Sequence, residues 1–267
     1  MKFDAREPDE SVNVSPINPL REALVLMLGL GVGFGLVAGF LVLIADQVAV
    51  YLPVEFEEAI FGFVGSEMVD GADEPDPHLT ALVERLAQGW EDNPYSFEVW
   101  LIDGEAPNAM ALPGGTILVT RPLLSAIHSE NALALVLGHE LGHFRNRDHL
   151  RGLSRQVVLQ LLLAGLTGQG TGAGWLFEHL GQATASGFDR AQEAACDAFG
   201  LMLTNALYGH VRGASELFEV LMAEEDGGSF NYLRSHPVSV ARIQKMETEA
   251  KHRGYELQGE LTPLPEF

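Results

Sequence analysis

The stretch HELGH, residues 139–143, contains two histidines and a glutamate that can form a catalytic zinc site. On a helix, His139 and His143 are four residues apart, so their rings project from one face, one turn apart. Both rings can then reach one zinc ion, and Glu140 beside them can take a proton from an attacking water. This spacing is typical of the HExxH zinc peptidases.

The residues around this motif indicate that its helix is buried. The preceding run NALALVLG, residues 131–138, is apolar on nearly every face, and histidines and a glutamate that are buried need partners. Gly138 and Gly142 are poor helix formers, and their small size lets another element approach closely. We therefore predict a buried zinc site rather than histidines on a solvent-facing helix.

Two residues are candidates for the third protein ligand that a catalytic zinc usually has. His149 gives the spacing HExxHxxxxxH of the metzincins, which have a glycine where this chain has Asn146. Glu193 lies fifty residues after His143 on a predicted helix, with Asp197 one turn further on the same face. In the second arrangement Glu193 binds zinc, and Asp197 accepts the free N–H of a zinc-bound histidine. The spacing alone leaves both arrangements open.

Two residues outside the motif, His236 and Arg242, are further candidates for the site. His236 begins the stretch HPVSVARI and can reach the open metal position or stabilise the oxyanion of a tetrahedral intermediate. Arg242 can serve in the same way or brace an acidic neighbour. Cys196 is the only cysteine, which excludes an internal disulfide, and we interpret it as a small buried residue.

The long apolar run at residues 23–45 predicts a transmembrane anchor. Its 23 residues carry no charge, enough for a helix to cross a hydrocarbon core of about 30 Å. A cleaved signal peptide would usually have an apolar region of only about 7–15 residues. Basic residues precede the run at Lys2, Arg6 and Arg21, and the next follows only at Arg85. We therefore expect residues 1–22 to be a cytoplasmic tail and the remainder to lie outside, in the periplasm of a bacterium whose inner membrane holds the anchor.

Within this anchor, Gly31, Gly35 and Gly39 follow the small-residue spacing of paired membrane helices. The pattern suggests self-association through the anchor, and ordinary tolerance of glycine in membrane helices explains it equally well. The net charge of −21 disfavours nucleic acid as a partner, because an acidic surface repels phosphates.

Residues 46–77 are acidic and rich in Pro and Gly, which predicts a linker. We expect one domain over residues 78–255 and a C-terminal tail over residues 256–267. The predicted elements are a helix over 78–90, strands over 96–104 and 114–120, the motif helix capped by Ser129, and helices that begin near Ser186 and Pro237. The apolar run 157–166 is too short to span a membrane and predicts a core helix or one on the membrane surface.

Four motifs, taken in order, resemble the zinc metallopeptidases of the Peptidase_M48 family, which includes HtpX-type and CAAX-prenyl-protease-type enzymes. They are NAMALPGGTILVTRPLL, SENALALVLGHELGHFRNRDH, EAACD and SHPVSVARI. The resemblance implies an α+β, mainly helical, zincin-like domain with a small sheet. It implies one zinc held by His139, His143 and Glu193, with Glu140 as catalytic base. It implies further that Asp197 does not bind zinc itself but supports a zinc-bound histidine. It also implies that His236 approaches the zinc, and that an edge strand binds extended substrates through Asn108, Ala109, Met110, Ala111, Leu112, Pro113 and Gly114.

The layout of the chain narrows the expected function. HtpX-type relatives carry additional membrane spans, and in this chain only the weak run 157–166 occupies that place. Because prenyl-protease chemistry uses a large intramembrane chamber, a prenylated substrate is disfavoured. We expect a membrane-anchored zinc endopeptidase for misfolded or membrane-associated proteins. The alternatives are a chaperone-like or assembly factor whose zinc site is closed by His236, a metzincin-like site that uses His149, and a membrane scaffold without metal.

Overall fold

The fold is mainly helical with one small sheet, as the sequence predicts. A computed structural model describes residues 18–57, 59, 74–168, 189–223, 236, 239–265 and 267. Most of the predicted cytoplasmic tail and Pro237, the predicted start of the last helix, therefore lie outside the described residues. Within the described part, the domain contains a three-stranded sheet packed beside helices that bury the HELGH segment.

Helix α1 (Pro19–Tyr51) is the long apolar helix predicted near the N-terminus. It begins at Pro19, with Asn18 as its N-cap accepting a hydrogen bond from the backbone of Arg21 at 3.2 Å. Its 33 residues give a length of about 50 Å. Among the described residues it is the one helix long and apolar enough to cross a membrane. Its apolar side chains are almost all exposed, which fits a helix surrounded by lipid.

Helix α2 (Pro77–Ala87) precedes a sheet of three strands, β1 (Glu98–Ile102), β2 (Ala109–Leu112) and β3 (Thr116–Thr120). The strand order is β1-β3-β2, with β1 parallel and β2 antiparallel to β3. Strand β2 is therefore an edge strand with one side unpaired within this sheet. Both strands predicted from hydrophobic pattern are present, and β2 lies in the segment that joins them.

Two long helices, α4 (Glu130–Asn146) and α6 (Arg190–Tyr208), form the centre of the domain, and the short helix α3 (Arg121–Ala126) leads into α4. Ser129 caps α4 as predicted, accepting a hydrogen bond from Ala132 at 3.1 Å. A Cβ atom at Gly138 would lie 3.0 Å from the Cα of Gly200. Glycines therefore let the two backbones approach closely, as the sequence suggests for Gly138.

Helices α5 (Asp148–Thr167), α7 (Glu216–Ala223) and α8 (Val240–His252) complete the fold. Helix α8 begins at Val240 with Ser239 as N-cap, and α6 begins at Arg190 with Asp189 in a capping box. These cap side chains satisfy the first free N–H groups of the two helices. Ser186, the predicted start of α6, lies outside the described residues.

Helix α5 begins directly after α4 and packs along α1. Leu150 and Leu153 in its first turns are buried, and Arg155 pairs with Asp46 of α1 at 2.6 Å. Further along, several leucines are exposed: Leu159, Leu161, Leu163 and Leu166. The predicted apolar run 157–166 is thus the second half of a longer helix, and it is not a core helix.

Candidate metal centre

The side chains of His139, His143, Glu193 and His236 converge on one small volume, where one ligand atom of each lies within 4.8 Å of the others. The Nε2 atoms of His139 and His143 are 3.2 Å apart. The Glu193 carboxylate lies 3.7 Å from the first of these nitrogens and 3.6 Å from the second. All four side chains are buried. Helix α4 supplies the first two residues and α6 supplies Glu193, so the close α4–α6 packing brings them together.

These residues fit a zinc ion. Two ligand nitrogens at about 2.05 Å from a tetrahedral zinc are about 3.3 Å apart, close to the observed separation of His139 and His143. Two imidazoles and a carboxylate are also a usual ligand set for catalytic zinc. Beside them, the buried Oε1 of Glu140 has no hydrogen-bond partner among the described residues, a state that a bound water would relieve.

A carboxylate lies behind each of the two motif histidines. Asp197 contacts Nδ1 of His139 at 2.9 Å, and Asp148 contacts Nδ1 of His143 at 3.1 Å. Each contact directs the other ring nitrogen, Nε2, into the cluster. Asp148 was missed in the sequence, although it lies only five residues after His143. Its neighbours RNRDH look like a polar turn, and that turn brings its carboxylate back against the helix.

Arg242 connects the acidic residues of α6. Its guanidinium contacts Oε2 of Glu193 and donates to both carboxylate oxygens of Asp197, at 2.8 and 2.7 Å. Of the two roles considered from the sequence, the structure places Arg242 against acidic neighbours. The guanidinium and His139 hold the pKa of Asp197 below its ordinary range, although burial opposes them.

Burial also sets the protonation states of the cluster. It lowers the pKa of His143 to about 3 and that of His236 well below its ordinary value, so both rings are neutral, the form that binds metal. Burial would lower the pKa of His139 too, but its hydrogen bond to Asp197 and the charges of Glu193 and Asp197 raise it. A metal ion at this site therefore competes with a proton on His139.

Glu140 is positioned between the metal-ligand cluster and the edge strand. Its Oε2 accepts a hydrogen bond from the backbone N–H of Ala111 in β2 at 3.1 Å. Burial raises the pKa of Glu140 to about 7, despite the opposing charge of His139. A carboxylate with this pKa can both accept and release a proton near neutrality.

Alternate residues of the edge strand β2 direct their backbone groups away from β3. The backbone carbonyl of Asn108 accepts a hydrogen bond from Thr120 of β3 at 3.0 Å, whereas the N–H of Ala111 points to Glu140. Because backbone groups alternate in direction along a strand, the N–H and C=O groups of Ala109 and Ala111 point away from β3, and those of Met110 point toward it. The predicted substrate segment therefore contains two residues whose backbone groups lie on the side of β2 that is not paired with β3.

His149 lies apart from the metal-ligand cluster. Its Nε2 contacts the carboxylate of Glu57 at 2.8 Å, and its ring packs on Phe144 with centroids 4.7 Å apart. The left-handed residue that ends α4 is Arg147, with φ 58°, and not Asn146. The turn thus directs His149 away from the two motif histidines, which argues against the metzincin arrangement.

Cys196 is fully buried where α6 crosses α4, with its Sγ 3.4 Å from Nδ1 of His143. A Cβ at Gly142 would lie 2.7 Å from its Cα. Burial raises the pKa of the thiol well above its ordinary value, so the thiol is protonated. These observations agree with its interpretation as a small packing residue.

Comparison with known proteins agrees with this geometry. The profile of Peptidase family M48 matches residues 73–250. The mitochondrial metalloendopeptidase OMA1 of Schizosaccharomyces pombe is 28% identical over 180 residues, which are 64% of this chain and 51% of that protein. A protease HtpX homolog of Pyrobaculum calidifontis is 32% identical over 142 residues, 50% of this chain and 36% of that protein. The aligned part thus spans about half the length of the OMA1 relative.

Proposed function

Because this chain belongs to Peptidase family M48, we propose that it is a zinc-dependent endopeptidase that hydrolyses peptide bonds in proteins. One observation carries the proposal: the buried carboxylate of Glu140 lies beside His139, His143 and Glu193, and its Oε1 accepts no hydrogen bond from the described residues, with Nε2 of His236 3.6 Å away. A group of metal ligands with no base beside it would fit a structural metal equally well.

Each residue then has a defined task. His139, His143 and Glu193 hold zinc, which supplies Lewis acidity toward the scissile carbonyl and lowers the pKa of water. Glu140 takes the proton of the attacking water and delivers it to the leaving amine. Asp197 and Asp148 keep the histidine tautomers fixed, and Arg242 neutralises the acidic side of the site.

Substrate binding follows from the edge strand. We propose that an extended peptide pairs with the outward backbone groups of Ala109 and Ala111 within the segment 108–114. The N–H of Ala111 is held by Glu140 in this structure, so productive binding requires this hydrogen bond to be exchanged for one to the substrate.

The position of His236 supports a second candidate, a chaperone-like or assembly factor with a latent zinc site. Its Nδ1 lies 3.0 Å from Glu193 and 3.1 Å from Nε2 of His139, where it can occupy the metal position that an active peptidase keeps open. His236→Ala separates the roles. Cleavage should increase if His236 closes the site and fall if it stabilises the oxyanion.

We propose that residues 23–45 anchor the chain in a bacterial inner membrane with the catalytic domain outside the cytoplasm, in envelope protein quality control. The exposed leucines in the second half of α5 continue the apolar surface of α1 beyond the Arg155–Asp46 pair. This continuity supports contact of α5 with the outer leaflet as well.

The test is Glu140→Gln in the full-length protein, with Glu84→Gln on the exposed face of α2 as matched control. We expect cleavage of an unfolded protein substrate to be lost only in Glu140→Gln, with one zinc per chain retained. If the variant supports the cellular role of the parent unchanged, the chaperone-like function is favoured. A folded parent without zinc would favour a scaffold.

A further inference from the structure

A carboxylate from the predicted linker is buried inside the domain. Glu57, six residues after the end of α1, is 0% exposed. Its Oε2 accepts a hydrogen bond from the Tyr95 hydroxyl at 2.9 Å and contacts the Arg147 guanidinium. Its Oε1 accepts the backbone N–H of Gly114 at 2.9 Å and contacts Nε2 of His149 at 2.8 Å. This part of the segment 46–77 is therefore a component of the domain.

Two of these partners are attached directly to the catalytic elements. Gly114 lies in the turn that follows β2, three residues after Ala111. Arg147 is the C-cap of α4, four residues after His143, and is the one non-glycine residue with positive φ among the described residues. The backbone N–H of Arg147 bonds to the carbonyls of His143 and Phe144 at this helix end, and its guanidinium contacts Glu57.

The contacts of Glu57 affect how strand β2 is held relative to helix α4. Strand β2 packs against helix α4 and is also joined to it by the Ala111–Glu140 hydrogen bond. This hydrogen bond is the one that an extended substrate must displace. Glu57 adds a polar link between the turn after β2 and the C-cap of α4, through Gly114 and Arg147. This link still restrains the strand relative to the helix when the Ala111–Glu140 hydrogen bond is exchanged for one to the substrate.

We propose that Glu57 is a positioning residue of the peptidase site: it fixes the orientation of the substrate strand β2 relative to the metal-ligand helix α4. The membrane-proximal segment is thereby part of the substrate-binding site. This inference rests on the proposed peptidase function, because it assigns β2 to the substrate.

The experiment compares Glu57→Gln with Glu55→Gln, an exposed control two residues away, in the full-length protein in detergent. We expect KM for an unfolded polypeptide to rise in Glu57→Gln, with a roughly tenfold or greater loss of kcat/KM and zinc content unchanged. A purely structural role would lower the melting temperature and the active fraction, hence the apparent kcat, but would leave KM unchanged.

Hydrogen–deuterium exchange provides a readout that does not depend on activity. We expect faster exchange in residues 108–116 and 143–149 of Glu57→Gln, relative to both the parent and Glu55→Gln. If the parent cleaves nothing, the proposed function fails while exchange still tests the link. Unchanged KM together with unchanged exchange in a folded Glu57→Gln protein would overturn the inference. If the parent is inactive, unchanged exchange in Glu57→Gln alone would overturn it.

Discussion

Replacing Gly142 by alanine tests whether the closeness of two helices sets the metal site. The added Cβ would lie 2.7 Å from the Cα and 2.9 Å from the Cβ of Cys196. These are atoms that no side-chain rotation can move. Carbon atoms in contact are normally about 3.5–4.0 Å apart, so α4 and α6 would have to separate locally by about 1 Å.

This separation acts on the ligands because they are divided between the two helices. His139 and His143 are on α4, and Glu193 is on α6. Metal–ligand distances tolerate deviations of only about 0.2 Å. We therefore expect Gly142→Ala to weaken zinc binding by at least roughly tenfold. Overpacking should also lower the free energy of unfolding by about 1–3 kcal/mol.

Competition with a chelator measures the zinc affinity, and thermal unfolding of the full-length protein measures stability. The matched control is Gly165→Ala on α5, where a Cβ would have no atom within 4 Å; it should bind zinc like the parent. If Gly142→Ala also bound zinc with parental affinity, the helix separation would not control the site and the reasoning would be wrong.

Three other predictions follow from the contacts. Asp148→Asn should weaken zinc binding roughly 10–100-fold in chelator competition, because His143 loses its carboxylate partner; equal affinity would contradict that role. His149→Ala should keep one zinc per chain by elemental analysis, since its ring contacts Glu57, and zinc loss would restore the metzincin arrangement. Glu140 acts as a base only when ionised, so kcat/KM should fall as pH decreases through its pKa of about 7 or, with zinc nearby, a lower value. An acid limb centred well above neutrality would exclude Glu140 as that base.

The sequence predicted the features that depend on local spacing. Helical periodicity placed His139 and His143 on one face, and the apolar run before them predicted a buried helix, which α4 is. Helical spacing also placed Glu193 and Asp197 on one face, and the alanines around them predicted burial. Both carboxylates are buried in the structure. The mainly helical fold with a small sheet, which the resemblance to the Peptidase_M48 family implied, is confirmed. The catalytic and ligand roles of these residues stay predictions.

Features that depend on distant partners were not accessible in this way. Glu57 lies in a stretch whose composition is typical of a solvated linker, yet its partners are 38 to 92 residues away in the chain. Asp148 and His149 look like parts of one polar turn, but Arg147 turns left-handed and directs them to different places. Tertiary contacts decided these positions, and no local pattern encodes such contacts.

The burial of Glu57 also bears on how the membrane segment relates to catalysis. Burial opposes ionisation of this carboxylate, yet its contacts with His149, Gly114 and Tyr95 lower its pKa, so the ionised form is favoured. A soluble fragment that starts after this residue would leave the Arg147 guanidinium without that carboxylate. Weak activity in such a fragment would then reflect a misaligned strand as readily as the absence of a membrane. Retaining residues from 52 onward while removing α1 separates these two causes.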